Sequence, residues 1–340
     1  MDRKNERTGM IDNRLRLILP IEKIEDRYSA QWWTWTLAAL ADHPEWNARV
    51  IGSPTPQSIR TGEFLDVYGT NLYKSDQLFK TLEVLEATHP QPATVVLYDA
   101  WYPGLEALAY VRDATGRDIR LVGVFHAGTY DPYDFLAQRG MARWGRKLER
   151  AWGIALDKIL VATEFHRSLL VEHRQFEVRK IRLVPFPVFE DEERRARPKD
   201  RVVVFPHRLA PEKQPAEFEA VRDVYRETYP TDFNAEFVFT KTEGRTKSEY
   251  YDLLARSTVS FSSALQETFG IAIQESINMG AVPIVPDRLS YRDTVPDAYR
   301  YRSLQSAVRM IREALDGRLL PPPVQYRASI VPLLEEAFSR

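Results

Sequence analysis

The sequence predicts an α/β protein of two doubly wound, Rossmann-like domains facing a cleft, and three observations carry that expectation. Short apolar, β-branched runs alternate with longer amphipathic segments, the pattern of βα units joined by right-handed crossovers. The runs are apolar almost throughout, so their strands are expected to be buried on both faces, as in a parallel sheet. The chain is also long, since 340 residues exceed what one core usually supports.

The first series of strand candidates is "RLILP" at 16–20, "TVVLYD" at 94–99, "RLVGVFH" at 120–126, "KILVAT" at 158–163 and "IRLVPF" at 181–186. The second is "RVVVFP" at 201–206, "AEFVFT" at 235–240, "TVSFSS" at 258–263 and "VPIVP" at 282–286. Helical patterns such as "PAEFEAVRDVYRETY" and "KSEYYDLLARS" separate them. Between the series lies "PFPVFEDEERRARPKD" at 185–200, Pro-rich and then dense in charge, which reads as an exposed linker. The expected domains are therefore 1–190 and 198–320, with a final helical segment, 321–340, placed as packing back on the first domain. The Trp-rich "QWWTWTLAAL" at 31–40 reads either as core or as an exposed apolar helix.

Composition narrows the function classes. Hydrophobic content of 44% and charged content of 28% are those of a globular chain. A formal net charge of -1 supplies no overall field toward nucleic acid or membrane, so either partner would need a local patch. The absence of cysteine excludes disulfide and thiolate chemistry and fits a cytoplasmic protein. The N-terminal region holds only a short apolar run, so neither a signal peptide nor a membrane span is expected.

The chemistry concentrates in "SSALQETFGIAIQESINMGAVPIVP", from Ser262 to Pro286. Gly270 opens an apolar helical segment and Gly280 closes it. Glu267 falls in the loop beyond a strand, where open α/β sheets bind ligands, and Glu275 falls in the second turn of the helix. A helix N-terminus favours anions, whereas a carboxylate accepts hydrogen bonds from hydroxyls. A ligand with phosphates and sugar hydroxyls satisfies both; the plainer alternative is that Glu267 caps the helix and Glu275 is solvated. Upstream, "FPHRLAPEKQP" sets Arg208 and Lys213 after another strand of the same series. Arginine clamps a phosphate bidentately and lysine reaches it as a point charge. The alternative there is two exposed loop cations.

With these residues in place, the sequence resembles glycosyltransferase family 4, whose members have the GT-B fold. "RLAPEK" looks like the family's Arg-x-x-x-x-Lys phosphate motif, "ETFGIAIQE" like its Glu-x7-Glu motif, and "NMGAVPIVPD" like the turn and strand that follow. The resemblance implies a retaining, metal-independent hexosyl transfer from a nucleotide sugar, most simply a UDP-sugar, with no further cofactor. It implies that Arg208 and Lys213 bind the donor diphosphate and that Glu267, Phe269 and Gly270 contact the donor sugar. Glu275 would bind the ribose hydroxyls. In "VGVFHAGTYDPYDF", His126 holds the place of a histidine that faces the donor sugar, though by itself it reads equally as structural. The chain lacks Asp-x-Asp, and its histidines show no ligand spacing. One departure stands out: the loop after the first strand, "PIEKIEDRYSAQWW", has no glycine where many family members are Gly-rich.

The acceptor side is less marked. Asp99 and Trp101 follow a first-domain strand and could line it, Asp99 equally being a loop or helix-start acid. From Arg139 to Arg150, "RGMARWGRKLER" reads as one amphipathic helix. Met141, Trp144, Leu148, Ala151 and Ala155 would face inward, with Arg139, Arg143, Arg146, Lys147 and Arg150 outward. Such a stripe either tracks a phosphate backbone or is a solvated face. The wording around the donor motifs is similar to that of glycosyltransferases encoded by tailed bacteriophages. This implies a nucleic-acid acceptor, a hydroxymethylated pyrimidine in DNA, in the host cytoplasm. A related branch acts on queuosine in tRNA; a glycan or lipid acceptor, or a non-catalytic binding module, are the other readings.

Overall fold

The computed structural model describes residues 13–25, 27–54, 66–188, 197–231, 234–240, 246–326 and 329–340. Two sheets, both wholly parallel, organise it. The first comprises β1 (Leu15–Leu19), β2 (Ala48–Val50), β3 (Ala93–Leu97), β4 (Ile119–Val124), β5 (Lys158–Val161) and β6 (Ile181–Leu183). Its spatial order is β2-β1-β3-β4-β5-β6. The second comprises β7 (Asp200–Phe205), β8 (Glu236–Phe239), β9 (Ser257–Phe261), β10 (Val282–Pro286) and β11 (Arg300–Tyr301), in the order β11-β10-β9-β7-β8. In each sheet the order reverses beside the first strand, between β1 and β3 and between β7 and β9. A reversal of this kind opens a crevice beyond the carboxyl ends of the strands, where ligands bind.

The helices of the first unit are α1 (Tyr28–Asp42), α2 (Val67–Ala87), α3 (Leu105–Thr115), α4 (Phe135–Gln138), α5 (Ala142–Ala155) and α6 (Glu164–Arg174). Those of the second are α7 (Pro215–Thr228), α8 (Lys247–Arg256), α9 (Ile271–Asn278), α10 (Tyr291–Thr294) and α11 (Leu304–Leu315), followed by α12 (Val331–Phe338). Alternation of side chains along each strand divides the core. Leu15, Leu17 and Leu19 of β1 join a cluster with Leu105, Trp152 and Leu170 from the helices on one face. Ile18, Val96 and Val122 face the opposite way, into a cluster with Trp32 and Trp35 that continues through Phe186 and Phe269 to Val202, Val204 and Leu254. The outer face of the second sheet is closed by Phe218 and Val221 of α7 and Ile311 of α11.

Several sequence expectations need correction. The strands "TVVLYD", "RLVGVFH", "KILVAT" and "IRLVPF" each end two or three residues early, because their last residues turn into the rim loops. β2 and β11 were missed: they are three- and two-residue edge strands with no apolar run long enough to detect. The start of the supposed exposed linker is buried, since Phe186 packs on Trp32, His126 and Phe269; residues 189–196 lie outside the described residues. The Trp-rich segment is α1, with Trp32 and Trp35 in the core. α12 meets the first sheet: Lys158 Nζ donates to the carbonyls of Glu336 (2.6 Å) and Ser339 (3.0 Å), and Arg16 lies 5.2 Å over the Phe338 ring.

The basic segment is also rearranged. Arg139 closes α4, and Gly140, in the left-handed region at φ 74°, separates it from α5. The buried face of α5 is Gly145, Glu149, Trp152 and Gly153, about one residue away from the expected face. Trp144 and Ala151 are consequently exposed. The two glycines set this rotation. A Cβ on Gly145 would sit 2.7 Å from Thr129, and one on Gly153 would sit 2.5 Å from the Phe176 ring.

Candidate active site

The loops after the strand ends of the two units meet. Thr268, beyond β9, donates its hydroxyl to the carbonyl of His126, beyond β4 (2.7 Å), and its own carbonyl accepts from Thr163 Oγ1, beyond β5 (2.7 Å). The rims of both switch-point crevices therefore face one cleft.

On the second-domain side, β7 leads into a loop that ends in a short turn, Pro211–Lys213. This turn carries Lys213 inward. Its Nζ donates to the carbonyl of Gln266 and to Glu267 Oε2 (3.2 Å). Glu267 Oε1 accepts from the N–H of Gly270 (3.0 Å), at the start of α9. Gly270 takes φ 89°, a conformation that glycine reaches without a Cβ penalty, and this aims its N–H at the loop carboxylate. Glu267 thus both caps the helix and pairs with Lys213. Burial works against its charge, but Lys213, by its charge and its hydrogen bond, together with Arg208 holds its carboxyl below the usual range. Lys213 is buried, so the reading as two exposed cations fails for it, whereas Arg208 is exposed, as that reading has it, and pairs with Glu212. His207 is buried, bonds Ser262 Oγ (2.8 Å), and is pushed down by burial to about 3, so it is neutral.

Glu275 is not on solvated surface. It is buried, with Oε1 accepting from Lys247 Nζ (2.7 Å) and Tyr251 OH (3.0 Å) and Oε2 accepting from Tyr250 OH (2.7 Å). Tyr251 OH in turn accepts from Gln31 Nε2 of α1 (2.7 Å). Phe269 is buried against Phe186 at the seam.

In the first domain, His126 is half-buried and packed among Tyr28, Trp32 and Phe186. Its Nε2 lies 2.7 Å from the Tyr98 carbonyl. A carbonyl only accepts, so Nε2 carries the proton and Nδ1 offers a lone pair toward Tyr28 OH at 3.5 Å. Burial lowers its pKa, keeping the ring neutral. Asp99 accepts from Lys74 Nζ (2.7 Å) and from Trp101 N–H (3.0 Å). Trp101 Nε1 donates to Glu149 Oε1 (2.8 Å). Glu149, fully buried, also accepts from Thr129 N–H (2.6 Å), Thr129 Oγ1 (2.8 Å) and Arg174. This network fixes the loop after β4.

That loop carries two acids that sequence reasoning quoted without assigning. Asp134 caps α4 through Leu136 N–H (2.9 Å), and burial pushes its carboxyl up to about 7. Asp131 is likewise raised by burial, while the Lys213 charge draws it back. Arg27 and Lys247 were also missed. Arg27 sits in the charged loop "EDRYS", and Lys247 opens α8 in "KSEYY"; both segments look like ordinary surface in sequence. Arg143, Arg146 and Arg150 are exposed along α5 beside Lys147, and Trp144 meets Trp101 edge-on at 5.8 Å. Among the described residues, no group of three His, Asp or Glu side chains could hold a metal ion. No described helix is long and apolar enough to cross a membrane.

The fold matches solved structures, two of them over nearly the whole chain. Sucrose-phosphate synthase from Thermosynechococcus elongatus superposes with a TM-score of 0.62 at 12% identity, covering 96% of this chain and 96% of that one. The UDP-forming α,α-trehalose-phosphate synthase from Burkholderia vietnamiensis gives 0.59 at 11%, covering 96% and 95%. The fold is GT-B. TarM from S. aureus, solved with UDP among its ligands, gives 0.54 at 11% over 78% of this chain, which spans 59% of TarM's length. No family model matches the sequence.

Proposed function

We propose that this chain is a retaining glycosyltransferase that moves a sugar from a nucleotide-sugar donor to a hydroxyl. The observation that carries the reading is the Lys213–Glu267–Gly270 arrangement at the β7/β9 switch point, directly across the seam from His126. Lys213, with Arg208 at the rim, supplies positive charge for a diphosphate leaving group. Glu267 accepts from donor-sugar hydroxyls and Glu275 from the ribose, in exchange for part of its present hydrogen bonding. The acceptor oxygen forms a bond to the anomeric carbon as the bond from that carbon to the phosphate oxygen breaks. The electron pair leaves with the nucleoside diphosphate, whose oxygen takes the acceptor proton on the same face. No metal takes part in this reading. UDP is the favoured nucleotide, in keeping with its presence in the TarM structure.

The acceptor we propose is a hydroxymethylated pyrimidine in DNA. Exposed Arg143, Arg146, Lys147 and Arg150, beside the Trp101–Trp144 pair, combine phosphate-binding charge with a stacking surface. A base inside a duplex would have to be flipped out to reach the cleft. A thermal-shift panel of nucleoside diphosphate sugars tests the donor, since a ligand bound only by the folded state raises its stability. A UDP-sugar should shift the transition and be turned over, with product NMR showing the donor's anomeric configuration and activity surviving a chelator. The reading fails if no nucleotide sugar shifts or reacts.

A further inference from the structure

The glycine-free loop between β1 and α1 follows the carboxyl end of its strand, beside the first domain's own switch point, and nothing above gives it a task. Its entry is fixed: the Pro20 carbonyl accepts from Tyr73 OH (3.3 Å) and from Gln77 Nε2 (3.1 Å), both on α2. Its exit is a turn, in which the Arg27 N–H donates to the Ile24 carbonyl (2.9 Å) and the Arg27 carbonyl accepts from the Ala30 N–H (3.2 Å). The Arg27 side chain has no such anchor. It is half-buried, it does not cap α1, and among the described residues its guanidinium has no hydrogen-bond or ion-pair partner. A guanidinium stays charged and presents five donors, so holding one half out of water and unpaired is costly.

Arg27 stands at the seam where the donor-side residues stand. The hydroxyl of Tyr28, the next residue, lies 3.5 Å from His126 Nδ1, and the His126 carbonyl accepts from Thr268 Oγ1 (2.7 Å). Thr268 follows Glu267, whose Oε2 accepts from Lys213 Nζ (3.2 Å). Arg208 reaches the same place from the second domain, since its charge acts on Arg27, Tyr28 and Asp134, all of the first domain. Burial pushes the Arg27 guanidinium down from its ordinary value, Tyr28 and Glu22 draw it back, and Arg208 lowers it further. Two cations from different domains that repel each other are relieved by an anion between them. Neither side chain is sealed, because Arg27 is half-buried and Arg208 exposed. A diphosphate suits the gap, since its two phosphoryl groups need not meet every cation through one atom, and arginine grips phosphate bidentately. We infer that Arg27 binds the donor diphosphate from the first domain, so that cations of both domains hold the leaving group. The inference rests on the glycosyl-transfer reading and adds a residue that lies in neither donor motif. A loop without glycine keeps its backbone behind its side chains, and here a guanidinium makes the approach instead.

The test uses the full chain and the variant Arg27→Met, which keeps an apolar stem and deletes the charge. Calorimetry measures the affinities of both proteins for UDP, GDP and ADP and for uridine, guanosine and adenosine, and urea unfolding without nucleotide measures their stability. Loss of a hydrogen bond to a charged group should weaken the diphosphate that wild type binds best by about 10- to 100-fold. The matching nucleoside should bind within twofold of wild type. The urea midpoint should be unchanged or higher, because the variant loses no partner and removes a cation that opposes Arg208. Unchanged diphosphate affinity overturns the assignment, as does an equal loss for the nucleoside. A lower midpoint overturns it too, because Arg27 would then be a structural residue. Wild-type protein that binds none of the three diphosphates instead removes the donor reading on which the inference stands.

Discussion

Replacing Lys213 by methionine separates a binding role from a structural one. Methionine keeps the length and apolar stem of the side chain and deletes the charge. At 3.2 Å the Lys213–Glu267 attraction is about 5 kcal/mol for an effective dielectric of about 20. Desolvation of two nearly buried groups takes back much of that. Removing Lys213 leaves Glu267 with the Gly270 N–H and the Arg208 charge to balance it, so a loss of about 3 kcal/mol is expected, the low end for a broken buried pair. If Lys213 also meets the donor diphosphate, UDP affinity should fall by about 2–5 kcal/mol, or about 30-fold at the least. Glu267→Gln in the same chain removes the uncompensated charge. The double variant should therefore recover most of the stability but none of the UDP affinity. Urea unfolding and calorimetric titration of UDP read the two quantities. Wild-type UDP affinity in Lys213→Met refutes the diphosphate assignment. Recovery of both stability and binding in the double variant refutes it as well, because Lys213 would then act only by holding the loop.

Two further outcomes are expected. Asp134 has a folded-state pKa of about 7 against an ordinary 3.8, so between those values the folded chain keeps a proton that the unfolded chain has lost. The stability this contributes is complete below about pH 4 and is lost as pH rises through 7. Asp134→Asn preserves the helix cap. It should flatten that part of the stability–pH profile and exceed wild type above pH 7 in urea midpoints; a wild type that gains on the variant between pH 4 and 7 contradicts the burial of a protonated acid. Replacing Arg143, Arg146 and Arg150 by Glu should lower the salt slope of DNA binding by about 2–3 while leaving UDP affinity unchanged, and an unaltered slope removes α5 from the DNA-binding surface.

The fold was legible because parallel strands buried on both faces are apolar almost throughout, as β1, β3, β4 and β10 are. β2 and β11 escaped because an edge strand of two or three residues leaves no such run. The limits of α9 were legible for a different reason. Gly270 and Gly280 bracket α9 in sequence because both positions take positive φ in space. What stayed hidden is tertiary compensation. A glutamate near the end of "RGMARWGRKLER" reads as one more surface charge, yet Glu149 is fully buried because Arg174, Thr129 and Trp101 converge on it from three other segments. Its burial, with the close packing at Gly145 and Gly153, goes with the rotation that exposes Trp144. Glu275 was placed on the correct helix, but nothing local announced that Tyr250, Tyr251 and Lys247 would enclose it.

That enclosure changes what the two glutamates do for each other. Glu267 is held by Lys213 within its own domain, so its position is fixed before any ligand arrives. Glu275 instead shares Oε1 between Lys247 and Tyr251, and the Tyr251 hydroxyl is also the contact for Gln31 on α1. A ribose hydroxyl that takes a place on Oε1 must displace one of these two donors or add a third. If Lys247 yields, its ammonium is released close to the nucleotide and the Gln31 contact survives. If Tyr251 yields, the seam between the domains loses one of its polar links. In the second case donor binding and the placement of α1 share a free energy, and linkage then requires that whatever fixes α1 also alters donor affinity by the same factor. α1 begins at Tyr28, beside His126 and directly after the loop that carries Glu22 and Arg27. Glu275, through Tyr251 and Gln31, and His126, through Tyr28, therefore meet on one helix.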